Sequence, residues 1–448
     1  TGIFAVDSEA DTRIFGHKVR PLSDLAIEDE VSNRHVICIP DSSWGRPVFD
    51  DLLAMFDALP NAVVRRISDR GSSARDTGPL SDELDLNALL GREEVKPVPG
   101  LVGGYLKDQV VVVSGAGGTI GSELVRQCLN LDAAQVVGLD QSEHSLYVLS
   151  ESEVGKDPRL ALRLCDCKRV GDIKTACRGL KVDIVLHAAA YKHVHLVEDN
   201  PLVGLRNNLA STVSLLGFAA DSGASSFVLV SSDKAVRPTN LMGASKRLAE
   251  IVCAGFVENP KQVLASFGLE LETPGPFPAV SVVRFGNVIG SSGSVLLKFR
   301  DQVVSGRRVT VTHPEATRYF MTVHEAVGLV LAAGAISNSG FNLYHLDMGD
   351  PVKILDLARR VIFALGGHAN TDRAIDFVGL RPGEKLYEEL LISGKVVPTS
   401  IERVLRVEAE SGGGDLSRDI IGLLDGSMNP GDLNLIRDVV RDAVDLHD

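Results

Sequence analysis

The chain has no excess of positive charge. Its 46 lysines and arginines stand against 59 aspartates and glutamates, a formal net charge of −13 over 448 residues. A general nucleic-acid binder neutralises phosphates with a basic face, so that class is excluded, although a local basic pocket for a small phosphorylated ligand is not. There is no C-x-x-C pair. The six cysteines, Cys38, Cys128, Cys165, Cys167, Cys177 and Cys253, are scattered, which fits a reducing compartment better than a disulfide framework. Cys165 and Cys167, taken with His187, His193 and His195, follow no standard ligand spacing, so no metal site is expected. No run of about 20 apolar residues occurs, so no segment reads as membrane-spanning. No signal peptide and no internal repeat are recognisable either. The chain begins at Thr1 rather than methionine and enters the strand-like GIFAVD at once, so it is expected to be a fragment of a longer protein.

What is present is ordinary for a globular protein of two or three domains, with 44% hydrophobic and 23% charged residues. Residues 1–69 read as a small α/β domain, Rossmann-like but degenerate. GIFAVD, RHVICIP and AVVRRIS are strands, GRPVFDDLLAMFDAL is an amphipathic helix, and no glycine-rich phosphate loop is present. Residues 70–107, rich in Gly, Pro, Ser and charge, read as a linker. From residue 108 to 290 apolar strands alternate with helices, the pattern of a Rossmann-type, doubly wound parallel sheet covered on both faces. After residue 290 the alternation loosens, and 291–448 is expected to form a smaller substrate-binding cap and a tail. The predicted class is therefore α/β with these four segments.

The first strand of that region runs into SGAGGTIGSEL. Gly115, Gly118 and Gly121 follow a strand and open a helix. There the backbone can approach a pyrophosphate, and the helix N-terminus offers unpaired N–H groups. Thr119 and Ile120 belong to the same turn, and Ala188 and Ala189 end a neighbouring strand. Asp140 closes the second strand, 19 residues after Gly121. A carboxylate there accepts hydrogen bonds from ribose hydroxyls and repels a 2′-phosphate, so NAD is the expected cofactor. Asp166, at the end of the third strand, is a candidate adenine contact.

GAGGTIGSEL, HAAAYKHVHLVEDNP, SSDKAV…NLMGASK, RFGNVIGSSGSV, TRYFMTVHEAV and LRPGEKLYEELL occur in this order over about residues 108–395. Together they resemble the polysaccharide-biosynthesis branch of the extended short-chain dehydrogenase/reductases. The strongest likeness is to its large, membrane-tethered UDP-N-acetylglucosamine 4,6-dehydratases. The resemblance implies NAD, a UDP-sugar substrate and membrane helices upstream of Thr1. It also implies the cytoplasmic domain of a bacterial inner-membrane protein, here expected to be a homo-oligomer. Many enzymes of the wider family use a Tyr-x-x-x-Lys helix, but here Met242 stands four residues before Lys246, and none of the six tyrosines has that spacing to a lysine. In this branch methionine commonly replaces the tyrosine.

Lys246 is then left with the ribose role, and acid and base must come from elsewhere. Asp233 and Lys234, at the carboxyl end of a strand, are the natural pair, because sheet-top loops line such sites. By resemblance Asp233 is the acid for the hydroxyl on sugar carbon 6 and Lys234 the base at carbon 5, with Ser232 near the oxygen on carbon 4. Lys192, Asn208, Asn287, Arg318, Arg381 and Glu384 are candidates for binding the substrate. A planar guanidinium suits a diphosphate. Two other readings compete: a UDP-sugar 4-epimerase, which would normally keep the tyrosine, and a non-enzymatic NAD-binding sensor, which would not need the Asp233–Lys234 pair.

Overall fold

The computed structural model describes residues 3–5, 13–14, 17–21, 36–40, 63–67, 99–272, 276–366, 374–381, 384–388, 396–408, 420–422 and 433–444. The chain divides into two compact units. The larger comprises Val95–Ser292, Val323–Asp350 and Arg381–Asp448; the smaller comprises Thr1–Glu94, Gly293–Thr322 and Pro351–Leu380.

A nine-stranded sheet forms the centre of the larger unit. Its strands are β1 (Val110–Ser114), β2 (Gln135–Asp140), β3 (Leu160–Leu164), β4 (Ile184–His187), β5 (Ser226–Val230), β6 (Ala279–Arg284), β7 (Phe341–Leu346), β8 (Val396–Pro398) and β9 (Val404–Val407). The spatial order is β8-β9-β7-β6-β5-β4-β1-β2-β3. From β3 to β7 all neighbours are parallel, whereas β9 runs antiparallel to β7 and β8 antiparallel to β9. The segments VVVVS, IVLH and SFVLV are apolar at nearly every position because helices cover both faces. One face carries α4 (Pro201–Ser222) and α5 (Leu241–Glu258), which bury Val213, Leu216, Val252 and Phe256. The first of the other labelled helices, α1 (Thr119–Asn130), packs against α6 (Val323–Ala335). Helices α2 (Glu143–Glu151) and α3 (Val170–Ala176) link β2 to β3 and β3 to β4. A last helix, α7 (Leu433–Val444), packs on α4 and α5. The order 3-2-1-4-5-6-7 reverses between β1 and β4, the switch point where ligands bind in open α/β sheets.

The smaller unit contains the strands Ile3–Ala5 and His17–Pro21, which pair in parallel, and Val36–Pro40, which pairs in parallel with Val63–Ile67. The expected strands GIFAVD, RHVICIP and AVVRRIS thus contain strands, while the helix expected over 45–59 lies outside the described residues. Val309–Val311 lies parallel to Ile375–Phe377, and the helix Val295–Val304 packs on the helix Ile354–Gly366.

Two boundaries differ from expectation. Residues 291–448 are not one cap: α6, β7, β8 and β9 complete the large unit, and only 293–322 and 351–380 group with the N-terminal residues. The physical reason is β7, an apolar strand that extends the parallel sheet beside β6. The expected linker 70–107 also ends in a helix, Pro99–Leu106, despite its proline and three glycines, with Val102 and Leu106 buried. Among the described residues no helix is long and apolar enough to cross a membrane.

Candidate active site

Close packing explains the glycine turn after β1. A Cβ on Gly121 would lie 1.9 Å from the Gly115 carbonyl oxygen, and one on Gly115, at φ +69°, would lie 2.8 Å from the Ala189 backbone. Only glycine lets the turn, the start of α1 and the end of β4 meet this closely. Gly118 is the N-cap of α1 and supplies no side-chain cap, so the first N–H groups of the helix, including those of Thr119 and Ile120, are left for an anion. Asp140 steadies the same turn: Oδ2 accepts from Gly117 N at 3.0 Å and Oδ1 from Ser142 N at 2.9 Å. Each oxygen keeps a second lone pair for a ribose hydroxyl. The Asp166 carboxylate is half-exposed and paired with Lys168 at 2.9 Å. These residues fit the adenosine diphosphate half of a dinucleotide. Behind them the buried His187 bridges Ser114 Oγ (2.7 Å) and Thr212 Oγ1 (3.0 Å). Burial and the nearby Lys246 charge push its pKa down to about 3, so the ring is neutral.

The second half of the site begins where β5 ends. Ser231 N donates to Val283 O at 2.8 Å, and Asp233 N donates to Phe285 O at 3.0 Å, so the strand pairing holds the backbone up to the catalytic candidates. A 3₁₀ turn, Asp233–Ala235, follows with Ser232 as its cap. This turn rests on α5 at Gly243, where a Cβ would stand 2.2 Å from the Lys234 carbonyl oxygen. Asp233 is 1% exposed. Its Oδ1 accepts from Ser232 Oγ at 2.9 Å and from Lys234 Nζ at 3.0 Å, while Oδ2 is buried without a partner. The Lys234 ammonium also reaches Asn287 Oδ1 at 3.4 Å and Glu388 Oε1 at 3.4 Å. Glu388 was not among the expected site residues. Its run, EKLYEELL, reads as an amphipathic surface, yet its side chain is only 6% exposed.

A buried ion-pair platform supports this turn. Glu250 accepts from Ser231 Oγ (2.6 Å), from Arg284 Nε (2.8 Å) and from Arg247 (3.2 Å). Burial alone would raise the Glu250 pKa, but Arg284, Arg247 and Ser231 together outweigh it, and the carboxylate stays below its usual range.

The remaining expected residues divide. Lys246 is buried and donates to Val230 O at 3.0 Å; burial pulls its pKa down to about 8. Met242, one turn away, is 3% exposed and packs in an apolar cluster with Val197, Leu205, Leu209, Leu248, Ile436 and Val440. The Asn208 amide is fully engaged by the protein. It bonds both the N–H and the carbonyl of Tyr191, at 2.8 and 3.1 Å, and Ser245 Oγ at 2.9 Å. Its Oδ1 also accepts from Asn207 Nδ2 at 3.2 Å, so in this arrangement the amide holds the Tyr191 backbone beside Lys192. Lys192 itself is exposed, and crowding by protein depresses its pKa. Arg381 is exposed, and its N–H donates to Glu384 Oε2 at 3.2 Å. Arg318 belongs to the smaller unit and donates to Thr317 O at 2.7 Å. Among the described residues no cluster of His, Cys, Asp and Glu has the geometry of a metal site.

The profile of the family described as "Polysaccharide biosynthesis protein" matches residues 111–409. The capsular polysaccharide biosynthesis protein CapD of Staphylococcus aureus is 40% identical over 339 residues, 73% of this chain and 54% of CapD. The chain spans about half the length of the curated relatives it matches. Among solved structures, Pen from Bacillus thuringiensis is similar at a TM-score of 0.57 and 27% identity, covering 68% of this chain and 91% of Pen. DesIV from Streptomyces venezuelae, a dTDP-glucose 4,6-dehydratase solved with NAD bound, shares the fold at a TM-score of 0.53 and 22% identity, covering 63% of this chain and 88% of DesIV. With the motifs, the strand order and the profile in agreement, the chain belongs to the polysaccharide biosynthesis protein family, a branch of the extended short-chain dehydrogenase/reductases with a Rossmann-type sheet.

Proposed function

We propose that this chain carries an NAD-dependent UDP-N-acetylglucosamine 4,6-dehydratase that makes a UDP-4-keto-6-deoxy sugar for surface polysaccharide. The observation that carries the reading is the Asp233–Lys234 pair. It stands at the carboxyl end of a central strand, Asp233 buried and Lys234 half-buried, with one carboxylate oxygen unpaired and no phenol at position 242. NAD, when bound, supplies the acceptor and donor of a hydride. The glycine turn, the bare N-terminus of α1 and Asp140 hold its adenosine diphosphate, with Asp140 selecting against a 2′-phosphate, and Lys246 takes the nicotinamide ribose.

Elimination across sugar carbons 5 and 6 needs a base and an acid on neighbouring atoms. The 3.0 Å ion pair between Lys234 and Asp233 contains one mobile proton. Moved from Nζ to the carboxylate, it leaves a neutral amine and a carboxylic acid. The amine then takes the proton from carbon 5, and Asp233 protonates the departing hydroxyl of carbon 6. The two transfers restore the ion pair, so the residues end as they began. Glu388 and Asn287 hold the ammonium in place, and Ser232 fixes Oδ1. The test is to incubate the chain with NAD and UDP-N-acetylglucosamine and to weigh the product. Loss of one water supports the reading. An isomer of unchanged mass makes it an epimerase, and tight NAD binding without turnover makes it a sensor.

A further inference from the structure

The elimination described above does not use a buried histidine, His345, on the second strand over from the one that ends in Asp233 and Lys234. His345 lies in β7, registered with Arg284 of β6 on one side and Leu405 of β9 on the other. It is 1% exposed, and neither Nδ1 nor Nε2 has a hydrogen-bond partner. A buried imidazole left wholly unpaired needs a physical cause, because its lost hydration is otherwise uncompensated. Asp233 Oδ2 and Asn287 Nδ2 are also buried and unpaired. The backbone links these groups: Asp233 N donates to the carbonyl of Phe285, the residue after Arg284, and Arg284 is registered with His345. The charges acting on the ring come from Arg284 on β6, from Asp233 beyond β5 and from Asp347 beyond β7. Arg284 is itself held by Glu250 of α5, and β9 contributes the apolar Val404 and Leu405. Burial and Arg284 push the ring down to about 4, so it is neutral, with one N–H donor and one bare nitrogen.

We propose that His345 is a positioning residue for Asp233, joined to its unpaired Oδ2 through one enclosed water. This inference rests on Asp233 acting as the acid. The water accepts the ring N–H and donates to Oδ2. It fixes the carboxyl rotamer, satisfies two buried groups at once and favours the ionised carboxylate. The deciding experiment compares pH–rate profiles for water loss from UDP-N-acetylglucosamine in wild type, His345→Leu and His345→Gln, using the full chain with NAD. His345→Leu should lower kcat about tenfold, the scale of one net hydrogen bond, with KM unchanged. It should also move the ionisation of the acid upward, because the donor to the carboxylate is gone. Glutamine keeps a donor and should restore most of both. A second arm needs no turnover: ¹⁵N spectra of labelled histidine in wild type and Asp233→Asn. Replacing the carboxylate should shift the His345 ring signals and lower its pKa further. A leucine variant with the wild-type profile, or ring signals indifferent to Asp233→Asn, overturns the proposal. If wild type removes no water from the sugar nucleotide, the functional reading fails and the spectra alone decide this one. If the leucine variant does not fold, the glutamine profile and the spectra decide.

Discussion

Met242→Tyr restores the residue that many relatives in the wider family use as their catalyst, and the structure predicts that the change harms the protein. Met242 is 3% exposed among Val197, Leu205, Leu209, Leu241, Leu248, Ile436 and Val440. These side chains come from α4, α5, α7 and the short helix Val194–Asp199, and none carries a polar atom. A phenol there carries its hydroxyl into an apolar cluster, where an unsatisfied donor costs about 1–3 kcal/mol. The larger, stiffer ring adds about 1–3 kcal/mol of overpacking. Even the lower sum, roughly 2 kcal/mol, should reduce Tm by about 3 °C in a unit of this size. Met242→Leu, which nearly conserves volume, should stay under about 1.5 kcal/mol. The assay pairs thermal unfolding with turnover of UDP-N-acetylglucosamine over a pH series. A tyrosine variant with wild-type Tm would show that the phenol finds room and a partner, and would refute the packing argument. A rise of 10²-fold or more in turnover, the contribution of a general base, with a new ionisation in the profile, would show that the site had merely lost its catalyst.

Three further outcomes are expected. Asp233→Asn and Lys234→Met should each reduce turnover by about 10²–10⁴-fold while NAD still binds; near-wild-type rates would move attention to Lys192. Asp140→Ala should narrow the preference for NAD over NADP, measured by calorimetric titration of both, and should loosen the glycine turn because Gly117 N loses its acceptor; equal affinities in wild type would count against the assignment. Burial depresses the Lys246 pKa from 10.5 to about 8, so between those values the unfolded chain binds the extra proton and the folded chain does not. The destabilisation is complete below about pH 8 and is relieved as pH rises toward 10.5. Wild type should therefore gain stability relative to Lys246→Met over that window, by at most about 3 kcal/mol; a flat difference in chemical denaturation would refute it.

Much of the sheet was legible because parallel strands covered on both faces are short apolar runs, and VVVVS, IVLH and SFVLV suit little but a buried strand. The glycine turn was legible for a related reason: its steric demand is local, and Gly121 has no substitute at 1.9 Å from a carbonyl oxygen. Long-range pairing was not legible. The short strands β8 and β9 become a sheet edge only because β9 meets β7 about 60 residues earlier, and no local periodicity announces that. Nor did Glu388 stand out, because a glutamate in EKLYEELL looks like any solvated helix face until Lys234 is found 3.4 Å from it. His345 gave a faint signal, a lone polar ring in the apolar run NLYHL, but its neighbours come from β6 and from the turn after β5. The partners of Asn208 were not legible either, since its bonds to Tyr191 and Ser245 span 17 and 37 residues of sequence.

The antiparallel return of β9 onto β7 bears on how the chain is made. During synthesis β1 to β7 emerge first, and β7 then presents a full row of open backbone groups until residues 404–407 arrive. A nascent or prematurely terminated chain ending before Val404 would keep that row bare, next to a nearly complete parallel sheet, and bare edges of this kind template aggregation. Shortened versions made to isolate the dinucleotide half should therefore retain the hairpin through Val407 or place charge along β7.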